Sequence, residues 1–303
     1  MPKHLPILSI FGPTGAGKTA TALALAKLLI ERKKVGGVDI ISADSRQVYS
    51  DIPILSGTDV PAEFVDCRSG EIRLHGIGML AADESWSLGQ FQVLFHTVYK
   101  QAIEKNRATL IVGGTALYHK QLLQSDPLLR VQPNEKLRRE LDALSVEQLQ
   151  ASLASADTKR LERMNDSDRA NPRRLVRAIE QAISTKPTLR VSQPNACQRY
   201  WFISVPDSIL EERIAQRVRK RFQTGAVDEV RKVLALSAVS KQLTTACGLL
   251  EISQYLAGKI DETMCLQLWT TRELRYAQSQ KKWYSQFPDV LQTDLLAVLD
   301  SVY

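Results

Sequence analysis

The run Gly12-Pro13-Thr14-Gly15-Ala16-Gly17-Lys18-Thr19 has the residue types and spacing needed to hold phosphates, in the pattern G-x-x-x-x-G-K-[ST]. Glycines let the backbone curl so that successive N–H groups point inward as an anion nest. A helix opening at Lys18 adds the positive end of its dipole. Lys18 can reach a terminal phosphate, and the Thr19 hydroxyl can ligate magnesium. All eight residues, Gly12 through Thr19, are therefore expected to line a phosphate site, with Mg2+ as the cofactor. The motif identifies a phosphate ligand, ATP among the candidates, and leaves the reaction open.

ATPases and GTPases usually follow the loop with a strand ending in an aspartate that helps hold magnesium. Here the candidate strand, Ala108 to Val112, runs into Gly113-Gly114-Thr115 instead. The first acid at a strand end is Asp44, within Ala43-Asp44-Ser45-Arg46-Gln47-Val48-Tyr49. In a doubly wound sheet the carboxyl ends of the strands line the ligand crevice, so Asp44 and Thr115 should face the phosphates. A carboxylate there suits a general base that takes a proton from a nucleophile. The ordinary readings, a helix cap for Asp44 and a turn residue for Thr115, stay open at this point.

The elements that must position these groups follow from apolar runs. Residues 6–11, 38–43 and 108–112 read as short buried strands, and Lys18 to Glu31 as an Ala- and Leu-rich helix. Strands alternating with helices predict an α/β fold, a P-loop doubly wound parallel sheet covered on both faces. From about Ser125 the β-branched runs stop. Leu137 to Ile183 reads as several helices, broken near Asn165 and at Asn171-Pro172. Lys186 to Gln198 contains two prolines and reads as a linker, and Arg199 to Val205 returns as a strand before further helices to about Phe287. The predicted organisation is a catalytic core of residues 1–124 and 196–303, with a helical insertion domain of 125–195.

The chain has 303 residues, 44% of them hydrophobic and 24% charged, the balance of a soluble globular protein. No apolar run reaches the ~20 residues of a membrane span. The four cysteines are scattered with no CxxC pair, as expected in the cytoplasm. The net charge of +7 leans towards a polyanionic partner. Lys159 to Arg190 alone carries nine basic against four acidic groups, which is either a solvated helix face or a nucleic-acid footprint.

Taken in order, several segments resemble the tRNA dimethylallyltransferases, or tRNA isopentenyltransferases. These are GPTGAGKTA from Gly12, ADSRQVY from Ala43, and Trp86-Ser87-x-x-x-Phe91. LIVGGTALYHKQLL (Leu110 to Leu123) and NPRRLVRAIE (Asn171 to Glu180) follow. Glu212-Arg213-Ile214-x-x-Arg217 then leads to Gly225-x-x-x-Glu229-Val230, before a last helix with Ala277, Gln280 and Trp283. The resemblance spans roughly residues 7–294.

It implies a P-loop that holds the diphosphate of dimethylallyl diphosphate, and an acceptor that is the exocyclic amine of the adenine 3′ of the anticodon. Asp44, Thr115, Lys18 and Arg217 would be the catalytic residues. Asp44 would take the amine proton, while Lys18 and Arg217 would neutralise the leaving group. The adenine would be extruded from its stem-loop. The insertion would grip the tRNA anticodon stem-loop, with contacts expected from Asp44, Ser45, Arg46, Gln47, Arg138, Arg173, Arg174 and Arg177. A monomer is expected.

The chain departs from the family pattern at Arg73 to Gly78, at Gly248-Leu249, and at Ala277-Gln278-Ser279-Gln280, where two cations are lost. Thr271-Arg272 also falls two residues early. Rival readings are a small-molecule P-loop kinase with Arg213, Arg217, Arg219 and Arg221 as its lid, an adenylate isopentenyltransferase, and a tRNA-binding protein without catalysis.

Overall fold

The computed structural model describes residues 6–58, 70–123, 128, 131, 133–184, 197–283, 287, 290–291 and 298. Six strands form one sheet: β1 (Ile7–Phe11), β2 (Val38–Ser42), β3 (Ile72–His75), β4 (Ala108–Gly113), β5 (Gln198–Phe202) and β6 (Val290–Leu291). Their order is β3-β2-β4-β1-β5-β6, and every pairing is parallel. The central strands β1, β2 and β4 are buried throughout and mostly apolar because both faces are covered.

Alternate side chains of each strand go to opposite faces. Leu8, Ile10, Val38, Ile40 and Leu110 pack against Leu25 and Leu29 of helix α1 (Lys18–Glu31). On the other face Ile7, Ile41 and Ile111 meet Phe91 and Phe95 of α3 (Leu88–Glu104). The Trp86-Ser87 element starts that helix: the Ser87 hydroxyl accepts from Gln90 N, and the Gln90 side chain returns to the Ser87 N–H. The short helices α2 (Pro53–Ser56) and α4 (Ala116–Gln121) follow the carboxyl ends of β2 and β4.

A second core, centred on Trp269, Ile214, Val230 and Ile252, joins four later helices. These are α9 (Asp207–Arg221), α10 (Val227–Leu234), α11 (Leu249–Leu256) and α12 (Glu262–Lys282). A π-helical turn at Phe222–Ala226, with Gly225 at φ 126°, separates α9 from α10.

The chain divides into two units, Met1–Leu123 with Pro194–Tyr303, and Gln124–Gln193. The second unit holds α5 (Glu135–Leu141), α6 (Val146–Arg163), α7 (Asp166–Arg169) and α8 (Pro172–Ile183) around a core of Leu149, Leu153, Leu175 and Ile179. Its breaks have a chemical cause. The Asn165 side chain caps α7 by accepting from Asp168 N, and Asn171 caps α8 by accepting from Arg173 N and Arg174 N. Most of the expected linker, and both expected domain boundaries, lie outside the described residues.

Two strands were not expected from sequence. β3 (IRLH) is an edge strand whose polar residues break the apolar run, and β6 has only two residues. The expected strand at 199–205 is shorter, because the chain leaves the sheet after Phe202 on its way to Pro206.

Candidate active site

The phosphate-binding motif sits where β1 hands over to α1. Gly15 and Gly17 adopt φ of 82° and 85°, the left-handed region that a side chain disfavours. Lys18 curls back over the loop, donating to the carbonyls of Gly12 (3.0 Å) and Pro13 (2.9 Å). The pKa of its ammonium is lowered to about 8, chiefly by burial and also by Arg217, with Asp44 and Glu273 partly offsetting both.

The loop opens into a cleft of about 320 Å³, lined by Thr14, Lys18, Thr19, Asp44, Gln47, Ser56, Gly57 and three arginines of α9. Arg213, Arg217 and Arg221 recur every four residues and so share one helix face. Four cations and one carboxylate therefore line the same space. That is a charge distribution for a polyphosphate with a proton acceptor beside it.

Asp44 reaches the cleft from the carboxyl end of β2. One of its oxygens accepts from Arg46 N at 2.8 Å, an Asx turn that fixes the carboxylate. Thr115 does not line the cleft. It precedes α4, its hydroxyl accepts from Ser45 N at 3.3 Å, and its own N–H donates to Ala43 O at 3.0 Å. It thus braces the loop that carries Asp44.

Gln47 spans the floor, accepting from the Ser42 hydroxyl (2.7 Å) and donating to Gly57 O (3.0 Å). Arg46 donates to Ser45 and to Thr245 Oγ1, the latter at 2.8 Å.

Helix α12 closes the back of the site. Its buried stripe, Cys265, Trp269, Glu273, Ala277 and Gln280, repeats at three or four residues. Gln280 accepts from Thr14 N (2.7 Å) and donates to Gly114 O (3.0 Å). A Cβ on Gly114 would lie 1.9 Å from the Gln280 amide, so the second glycine of the Gly113-Gly114 pair is a space requirement. Glu273 receives Arg217 at 2.9 Å and Arg221 at 3.4 Å.

In the sequence Arg221 stands out only as part of a kinase-type lid, Arg213 also within the Glu212-Arg213 element, and Glu273 not at all. The available signal was an acid between Trp269 and Ala277 in a helix stripe at core spacing.

The arginines of the second unit divide into two kinds. Arg138 and Arg177 converge on the buried carboxylate of Glu180, at 2.7 Å and 3.1 Å. Burial opposes ionisation of Glu180, but hydrogen bonds from Arg138, Asn134 and Arg177 hold its pKa below the usual carboxylate value. Arg173 and Arg174 are exposed, and Arg174 pairs with Asp168. Arg173 and Arg177, both expected to contact tRNA, are thus in different environments.

Among the described residues no group of three or more His, Cys, Asp or Glu could hold a metal by itself. Thr19 and Asp44, both lining the cleft, offer the hard oxygens that magnesium takes together with substrate phosphates. No helix among the described residues is long and apolar enough to cross a membrane.

Residues 47–287 match the family model described as IPP transferase. The chain is 32% identical over 286 residues to tRNA dimethylallyltransferase 2 of Syntrophotalea carbinolica, covering 92% of this chain and 89% of that one. Among solved structures it is similar to the full-length tRNA isopentenylpyrophosphate transferase of Bacillus halodurans, with a TM-score of 0.67 and 26% identity. That match covers 99% of this chain and 96% of the other. A eukaryotic dimethylallyltransferase acting on tRNA shares the fold, with a TM-score of 0.71 at 22% identity, over 96% of this chain and 75% of that one.

Proposed function

From the premise that this chain belongs to the IPP transferase family, we propose how its P-loop cleft works. The chain is a tRNA dimethylallyltransferase, and its reaction is prenyl transfer to tRNA. The donor, dimethylallyl diphosphate, places its diphosphate on the P-loop backbone and at the N-terminus of α1.

The acceptor is the exocyclic amine of the adenine 3′ of the anticodon, extruded from its loop to reach the cleft. The amine lone pair attacks the allylic carbon, and a C–N bond forms as the C–O bond to diphosphate breaks. The electrons of that C–O bond leave with the diphosphate. The amine proton passes to Asp44.

Charge grows on the leaving oxygens during this step, and Lys18, Arg213 and Arg217 stand where they can neutralise it. Thr19 is the residue that would hold magnesium together with the diphosphate oxygens, and the ion when bound supplies further neutralisation of the same charge. The helices of the second unit, with Arg173 and Arg174 exposed on α8, take the anticodon stem-loop.

One observation carries this reading: Lys18, the α9 arginines and Asp44 line a single cleft. A phosphate clamp and a proton acceptor are thereby placed side by side. Three incubations test it: tRNA with dimethylallyl diphosphate, AMP with dimethylallyl diphosphate, and ATP alone, each with magnesium. Prenylated tRNA with inert AMP and intact ATP is the expected result. Prenylated AMP would move the acceptor to a free nucleotide, and ATP hydrolysis would overturn the transferase mechanism.

A further inference from the structure

Arg213, Arg217 and Arg221 of α9 and Lys18 carry like charges into one cleft, and without counter-charges they would push one another out of register. Two of them, Arg217 and Arg221, pair with Glu273 of α12, which is only 4% exposed. It splits its two oxygens. One receives Arg217 at 2.9 Å and the Thr14 hydroxyl at 3.4 Å, and the other receives Arg221 at 3.4 Å. Thr14 in turn accepts from the same Arg217 nitrogen at 2.6 Å. Glu273, Arg217 and the P-loop threonine therefore form a closed triangle on the diphosphate side of the cleft.

Among the described residues the Arg217 Nε is buried without a hydrogen-bond partner, and the contacts to Glu273 and Thr14 aim the guanidinium. A buried carboxylate that served only to balance charge could sit anywhere near α9. This one shares its acceptor oxygen with the loop that cradles the donor.

We infer that Glu273 is a positioning residue for the transfer reaction: it holds Arg217 against Thr14 so that the guanidinium meets the departing diphosphate already aligned. The inference rests on the reading of this cleft as the donor site. Prior alignment of this kind lowers the barrier because no reorganisation is needed as charge develops. The effect belongs to the transition state more than to donor binding, so it should appear in kcat.

The test is a mutant cycle on the full chain, with dimethylallyl diphosphate, tRNA and magnesium, normalised to the folded fraction. Glu273→Gln should lower kcat by ~10–10²-fold, the cost of a misplaced group, while affinity for inorganic diphosphate changes little. In an Arg217→Gln background the same substitution should have almost no further effect on kcat, because residues acting as a unit are not additive.

Glu273→Asp keeps the charge but withdraws it by one methylene, and should give a kcat between those of wild type and Glu273→Gln. Where Glu273→Gln does not fold, Glu273→Asp decides: a kcat below wild type supports the inference, and a wild-type kcat overturns it. Normal kcat in folded Glu273→Gln, or an undiminished loss in the Arg217→Gln background, would also overturn it. Absence of turnover in the wild-type chain would instead overturn the reading of the cleft itself.

Discussion

Gln280, two residues from the end of α12, accepts a hydrogen bond from the backbone N–H of Thr14 at 2.7 Å, across 266 positions of sequence. Its amide also donates to Gly114 O at 3.0 Å. One buried side chain therefore ties the P-loop to the end of β4, and so to the turn that braces Asp44. The altered neighbours Gln278 and Ser279 are exposed and leave this link in place.

Replacing Gln280 with Leu should orphan a partly buried N–H and a buried carbonyl contact, at a cost of about 1–3 kcal/mol. A lower denaturation midpoint at an unchanged m-value is the expected result. Stability equal to wild type would mean that water satisfies both groups.

Asp44 and Thr115 should separate on mutation. Asp44→Asn should lower single-turnover rate by ~10²–10⁴-fold, the range for loss of a general base, with tRNA affinity nearly unchanged. Thr115→Ala should cost less, because its hydroxyl supports the Asp44 loop from outside the cleft. Near-normal turnover in Asp44→Asn would reduce Asp44 to the cap of its Asx turn.

Donor binding should depend on pH through Lys18. Its pKa is lowered to about 8 in the free protein, and it must be protonated to meet a diphosphate. Binding an anion favours the ammonium, so protons are taken up on binding where free Lys18 is neutral. Donor affinity should fall as pH rises through 8, approaching about tenfold per pH unit well above it. Calorimetry in buffers of different ionisation enthalpy measures that uptake, and Lys18→Arg should move the fall out of the accessible range. An alkaline limb that survives Lys18→Arg would assign the titration to another group.

The arginines of the second unit should also separate. Arg173 and Arg174 are exposed, so Arg173→Gln with Arg174→Gln should flatten the salt dependence of tRNA affinity by about 1.4–1.8 in log–log slope. Arg138 and Arg177 are committed to Glu180, and their removal should lower the stability of this unit as well. An unchanged slope in the double variant would place the tRNA contact elsewhere.

These contrasts show which parts of the site were legible in the sequence. The P-loop was, because its chemistry lies within eight consecutive residues and its flanks read as strand and helix. β1, β2 and β4 were, because strands covered on both faces are mostly apolar, even with Ser9, Asp39 and Thr109 among them. β3 and β6 were not: one is a polar edge and the other too short to form a pattern.

Glu273 and the double role of Gln280 depend on α12 returning to the P-loop, a contact that no local spacing encodes. The stripe from Cys265 to Gln280 was readable, but its partner was not. Arg138 illustrates the reverse case, since an arginine on a helix looks free in sequence until Glu180 is seen beside it.

The central claim is that this P-loop holds the diphosphate of a prenyl donor. Calorimetric titration of the wild-type chain and Lys18→Ala, with dimethylallyl diphosphate and with ATP in the presence of magnesium, tests it most directly. The account predicts that the wild type binds the prenyl donor more tightly than ATP, that inorganic diphosphate displaces it, and that Lys18→Ala loses most of this affinity. Tighter binding of ATP, accompanied by its hydrolysis, would contradict it.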